Sequence, residues 1–455
     1  MSLLVIDWSV VGIKAGQFIL SFSILVILHE LGHFLPARWF KCRVEKFFLF
    51  FNPWFSLWKK KIGETEYGIG WVPFGGYVKI AGMIDESMDK EQMKKPPEPY
   101  EFRAKPAWQR LIIMLGGVTV NILLAIVIFV GIMYTWGEKY IPAQNLKYGV
   151  YVDSLGKKIG MQDGDKIVAV AGKPVEKIGT VGSLIILNQA TNITIERNGK
   201  DTILNVPPGF IEQLNKNKLG GFTYVRIPLI VDTVLLGTQI NSDAAIHKGD
   251  RVIAINQIPV SYNNQAFDVL KDLKNKNSIQ YTLIQNNTDT IQATVVNNTN
   301  PKIKSGIGFQ TPDEVLGTVQ IKYSFLQAIP VGIEKCYSTL INYISNLKLL
   351  FTSKEVKVND SLGSVISIGG IFPGVWDWQS FWTLTAIFSI ILAFMNVLPI
   401  PALDGGHALF TLVEMITGRK PGDKFMEYAQ MVGMILLLSL MAYALGLDFL
   451  RIFSH

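Results

Sequence analysis

Cysteine is scarce: Cys42 and Cys336 are the only two in 455 residues. That excludes a disulfide framework, and neither residue sits in a spacing that signals redox chemistry. Charge is scarce too. Only 17% of residues are charged against 49% hydrophobic, with a positive mean hydropathy. The chain is therefore too apolar for one soluble fold and too polar to lie wholly in lipid. Dense basic runs interleaved with aromatics are missing despite a net charge of +7, which argues against nucleic acid; positive residues flanking membrane spans explain the excess. The N-terminus lacks a basic region followed by a small-residue cleavage site, so the first apolar segment is expected to be a retained span.

Four segments are long and apolar enough to cross a bilayer, at about 16 to 36, 111 to 136, 379 to 401 and 426 to 446. Basic residues including Arg38, Arg43, Lys59, Lys60, Lys61, Arg103 and Arg110 crowd the stretch between the first two, whereas Lys14 and Arg451 stand alone near the ends. The crowded side is expected to be cytoplasmic, with both termini and all of 137 to 378 on the outer side. Cys42 and Cys336 then lie across the membrane from one another.

His29, Glu30 and His33 spell His-Glu-Leu-Gly-His near the end of the first apolar segment. On a helix, positions i and i+4 share a face, so both imidazoles can reach one ion while Glu30, one step round, faces the position where water would sit. Ionisable groups inside a bilayer cost about 2.5 to 3.5 kcal/mol each at mid-depth, so such a cluster is read as functional. A catalytic zinc takes three protein ligands, and the pair supplies two. The run Asn396-Val-Leu-Pro399-Ile-Pro401-Ala-Leu403-Asp404-Gly405-Gly406 breaks the third apolar segment with two prolines and follows it with a carboxylate. Asp404 fits as third ligand, the bland alternative being a helix-end cap or turn residue. His407 is the weaker candidate.

Trp71 to Ile80 alternates as a strand does and is too short to span. It is expected either as a re-entrant element beside the His29–His33 turn, its exposed edge holding an extended substrate, or as an ordinary cytoplasmic hairpin. Residues 102 to 110 read as an interface-lying lead-in to the second span, and 321 to 351, with Tyr323, Phe325, Tyr337 and Tyr343, as an amphipathic stretch at the outer interface.

The outer region repeats itself. Gly164-Asp165-Lys-Ile-Val-Ala-Val and Gly249-Asp250-Arg-Val-Ile-Ala-Ile align at an offset of 85 residues, as do Pro174-Val175 and Pro259-Val260. Gly-Asp before alternating β-branched residues and a turn reads as a compact β-rich module, and it resembles the PDZ domain. That resemblance implies capture of extended peptides by strand addition; the alternative is a pair of spacers that bind nothing. The expected organisation is 1–142 for the first two spans and the β segment, 143–226 and 227–312 for the two modules, 313–378 for an amphipathic linker and 379–455 for the last two spans. The fold class is a polytopic α-helical membrane protein with four transmembrane helices, a re-entrant β segment and two tandem PDZ-like domains outside.

Taken together, His29-Glu30-x-x-His33, Gly75-Gly76, Gly117-x-x-x-Asn121, the tandem modules and Asn396-x-x-Pro399-x-Pro401-x-Leu403-Asp404-Gly405 resemble the site-2 protease family over nearly the whole chain. One departure is Val118, where the family often has proline. The resemblance implies an intramembrane metalloprotease of the bacterial inner membrane, with periplasmic modules and an active site near the cytoplasmic side. It also implies Zn2+ held by His29, His33 and Asp404, Glu30 as general base, and Asn396 at the substrate, with Gly75, Gly76 and Tyr77 on the substrate-binding strand. The implied substrates are transmembrane segments, such as anti-sigma factors after a first external cut and signal-peptide remnants. Two rivals are a non-catalytic zinc-binding scaffold, which would have no need of Glu30, and a transporter, which four spans without an inverted repeat disfavour.

Overall fold

The computed structural model describes residues 7–83, 96–216, 222–235, 239–242, 245–272, 278–286, 288–296, 306–353 and 363–453. Part of the expected linker, 354–362, lies outside them. Four described helices are long and apolar enough to cross a membrane: Trp8–Trp39, Ala107–Thr135, Trp378–Val397 and Asp423–Phe453. The first starts earlier than its apolar core because Asp7 caps it, accepting from the backbone N–H groups of Ser9 and Val10. Its buried positions include Gln17, Ser21, Leu25, His29, His33 and Ala37. This four-residue stripe is one helix face, and it turns both histidines inward. The third stops at Val397, short of the expected 401, because Pro399 and Pro401 supply no N–H to continue it.

Lipid offers no hydrophobic drive between helices, so close approach and buried polar contacts must join them. A Cβ on Gly116 would stand 1.9 Å from the Gly32 carbonyl oxygen, so the first two helices cross backbone to backbone. Ser21 and Thr385 share a hydroxyl hydrogen bond of 2.9 Å between first and third helices, and Ser389 donates to the Asn121 carbonyl at 2.7 Å between third and second. The second helix runs unbroken through Val118, itself buried.

Strands β1 (Val44–Phe51), β2 (Trp58–Ile62), β3 (Thr65–Ile69) and β4 (Val72–Ile80) form a sheet ordered β2-β3-β1-β4. The expected 71–80 strand exists, but it is not half of a local hairpin: β4 skips β3 and pairs antiparallel with β1, Phe48 opposite Tyr77 and Leu49 opposite Gly76. Phe51 and Phe48 stack on Tyr77 at interplanar angles of 7° and 8°. β4 is an edge strand.

Contacts divide the chain into two units: Met1–Gly137 with Lys322–Lys348 and Ser361–His455, and Glu138–Ile321 with Leu349–Asp360. In the second unit, β5 (Glu138–Tyr140) pairs with β19 (Val319–Ile321), so the two ends of its long segment meet on one ribbon. The internal repeat is structural. β7 (Lys166–Val170) and β8 (Lys173–Pro174) recur 85 residues on as β14 (Arg251–Ile255) and β15 (Ile258–Pro259), with a bulge after Ile167 and again after Val252. With β9 (Asn192–Arg197), β10 (Lys200–Asn205), β13 (Gln239–Ser242), β16 (Ser278–Gln285) and β17 (Asp289–Val296), the two sheets run β10-β9-β7-β8 and β13-β17-β16-β14-β15. Gly164 and Gly249 both take φ of +100°, which a side chain would strain, and the following aspartate caps its own turn, Asp165 accepting from Gln162 N–H and Asp250 from His247 N–H. Each module closes on its own core, one around Ile167, Ile193, Ile195 and Phe210, the other around Val252, Tyr281, Leu283 and Val295.

Candidate metal centre

The buried stripe of the first helix delivers His29 and His33 to the bundle interior, where they are 8% and 6% exposed. The third ligand candidate arrives from far along the chain. After Val397 the backbone turns through Pro399 and Pro401, passes Ala402 at φ of +83°, and starts a new helix, Asp404–Thr417, with the aspartate at its first position. A non-glycine residue at such a φ stores about 1–3 kcal/mol of strain, held by what packs round it. Gly405 and Gly406 allow the tight turn, since a Cβ on either would lie within 2.6 Å of the carbonyl oxygens of Leu398 or Ile400. Arg110 of the second helix ties this segment in place, donating to Glu414 at 2.5 Å and to the Lys105 carbonyl at 3.0 Å.

Three atoms converge. Nε2 of His29 and Nε2 of His33 are 3.3 Å apart, and Oδ2 of Asp404 lies 3.3 Å from the first and 3.2 Å from the second. This nearly equilateral triangle is one face of a tetrahedron whose centre-to-corner distance is about 2.0 Å, the length of zinc bonds to nitrogen and oxygen. The chemistry agrees with the geometry. Nδ1 of His33 faces the Ile113 carbonyl at 2.8 Å, an acceptor only, so the ring proton sits there and Nε2 presents a lone pair. Asp404 Oδ2 is buried with no hydrogen-bond partner. Two imidazole nitrogens and a buried carboxylate oxygen that has no other partner, all aimed at one point, fit a cation. Among the described residues no other group of three His, Cys, Asp or Glu side chains meets this way.

The expected neighbours fall into two groups. Glu30, Gly76, Tyr77 and His407 line the same cavity, of about 430 Å³, as the three candidate ligands. Asn396 brings Nδ2 within 3.3 Å of His29 Nε2, beside the convergence point. His407 is not part of the triad. Gly75 has φ of +144°, a backbone state that favours glycine, and a Cβ on Gly76 would meet Val26 and the Phe48 carbonyl oxygen at 2.7 Å and Glu30 Cγ at 3.4 Å, so β4 lies directly against the turn that carries Glu30. Tyr77 donates to Asn52 at 2.9 Å rather than pointing an idle hydroxyl into the cavity.

Sequence reading misses several supports. The Gly32–Gly116 crossing and the Arg110–Glu414 pair have no spacing signal, although small residues in an apolar helix are a general sign of close packing. Gln430 of the fourth long helix also borders the cavity.

Comparison with known proteins places these features in company. The model of peptidase family M50 matches residues 17–440. The regulator of sigma-E protease RseP of Escherichia coli is 27% identical over 468 residues, covering 96% of this chain and 98% of that protein. The regulator of sigma E protease of Haemophilus influenzae is 24% identical with the same coverage. A Rickettsia conorii protein provisionally named a zinc metalloprotease is 29% identical over 451 residues, covering 96% of this chain and 98% of its own length.

Proposed function

The chain belongs to peptidase family M50, the site-2 proteases, and is an intramembrane zinc metalloprotease; on that premise we propose that it hydrolyses peptide bonds inside the transmembrane segments of other membrane proteins, with the site assembled from His29, His33, Asp404 and Glu30. The observation that carries this reading is the 3.2–3.3 Å triangle of ligand-type atoms opening on one cavity with Glu30. His29, His33 and Asp404 would hold the ion, which would supply Lewis acidity to the scissile carbonyl and to a water near neutral pH. Glu30 accepts the water's proton and returns it to the leaving amide nitrogen. Asn396 turns an amide N–H towards the point where charge develops on the carbonyl oxygen.

A substrate helix hides its carbonyls in i to i+4 hydrogen bonds and must unwind before it can be cut. Edge strand β4 offers replacement bonds at Gly75, Gly76 and Tyr77, beside the base. Weak helix formers in the substrate therefore favour cleavage. The basic stretch between the first two spans supports the reading in which β1–β4 and the site face the cytoplasm of a bacterial inner membrane and the repeated β modules, PDZ-like in their Gly-Asp turn, face the periplasm. Anti-sigma factors already cut outside, and signal-peptide remnants, are the substrate classes that fit regulated proteolysis of this kind. The scaffold reading gains nothing from the cavity, since a structural site has no need of a carboxylate beside it.

The test is Asp404→Ala in purified full-length protein. It should lower zinc content and cleavage of a model transmembrane peptide together; full zinc occupancy would show that another group, such as His407, completes the site.

A further inference from the structure

Resting on the zinc reading above, we propose that Asn121 is a positioning residue: its side-chain oxygen accepts the Nδ1 proton of His29 and so fixes the tautomer that leaves Nε2 free for the metal. A neutral imidazole that ligates through Nε2 carries its proton on Nδ1, and a buried N–H needs an acceptor. For His33 that acceptor is the Ile113 carbonyl. For His29 the group at Nδ1 is the Asn121 amide, 3.1 Å away and completely buried. The amide end nearest the ring is Nδ2, while Oδ1 has no partner.

This orientation suits a ring protonated on Nε2, facing Asp404. Such a ring cannot bind metal. A half-turn about χ2 exchanges the amide ends and brings Oδ1 to Nδ1, which is the arrangement a loaded site requires. Asn121 is held for this task. Its own carbonyl accepts from Ser389, and Gly117 one turn earlier admits the rings to the same face. With no exposed surface and no place on the cavity wall, Asn121 does not reach a substrate. The second helix thus supplies the acceptors for both ligand histidines. Acceptors of this kind are worth about 10–100-fold in metal affinity.

The experiment uses the full chain in detergent, with zinc affinity measured by chelator competition for the parent and for Asn121→Ala, Asn121→Leu and Asn121→Asp, beside the melting temperature of each metal-free form. Alanine and leucine should weaken zinc about 10–100-fold, and aspartate, which keeps an acceptor, should stay near the parent. In the Co2+-loaded parent two exchangeable imidazole N–H resonances should be present, and in Asn121→Ala the one from His29 should exchange faster with solvent. Unchanged affinity in Asn121→Ala, or equal loss in alanine and aspartate variants, would overturn the assignment. A parent that binds no zinc would instead sink the zinc reading itself, and this inference with it.

Discussion

Gly117 passes so close beneath His33 that a methyl group on it would stand 2.5 Å from the ring's Nε2, and 2.6 Å from Cε1 of His29. Glycine there is the condition for two imidazoles to fit between the first and second helices. Gly117→Ala should therefore expel the rings from their ligating positions and lower zinc affinity by at least the roughly 10–100-fold seen when ligand orientation is lost. Zinc per protein after dialysis at low metal checks this, and full retention would contradict it. The neighbouring Gly116→Ala, whose methyl meets the Gly32 carbonyl oxygen at 1.9 Å, should instead lower thermal stability by about 1–3 kcal/mol through overpacking.

The Arg110–Glu414 pair joins the second helix to the helix that begins with Asp404, and its side chains are only 9% and 19% exposed. Removing one partner of a buried pair leaves the other charge uncompensated, at about 3–5 kcal/mol. Arg110→Met should destabilise by about that much at first, discounted for the partial exposure of Glu414, and Arg110→Met with Glu414→Met should recover a good part of it. Unfolding in mixed micelles measures both. A double variant no more stable than the single would mean the ion pair is not what holds these helices.

Membrane orientation can be tested with an impermeant thiol reagent, but not on the native cysteines. Cys42 and Cys336 are buried, and burial pushes both thiols up, away from the reactive thiolate. Cysteines placed at exposed Lys60 in β2 and exposed Lys200 in β10 serve better. In intact spheroplasts Lys200→Cys should label at once and Lys60→Cys only after permeabilisation. The reverse pattern would invert the topology.

Much of the site is legible in the sequence because its chemistry is local. His29, Glu30 and His33 owe their arrangement to helical periodicity alone, and Asp404 announces itself by following two helix-breaking prolines. The repeat at Gly164 and Gly249 is equally local, a turn that only glycine enters easily. What cannot be read is whatever depends on distant partners. Trp58-Lys-Lys-Lys-Ile62 lacks the apolar–polar alternation of a strand and becomes β2 by pairing with β3. β4 chooses β1 across two intervening strands. Glu414 lies 304 residues from Arg110, and no pattern in either segment names the other. The early start of the first helix turns on a single cap, Asp7, outside the apolar run that marks the span.

The central claim is that Glu30 performs proton transfer in a site whose ligands are other residues. Glu30→Gln keeps the size and one acceptor oxygen of the side chain but cannot accept a proton from water. Purified parent and Glu30→Gln proteins should carry equal zinc and melt alike, while cleavage of a model transmembrane peptide falls by at least the roughly 10²–10⁴-fold that general-base catalysis contributes. Cleavage by Glu30→Gln at the parental rate, with zinc in place, would contradict the account.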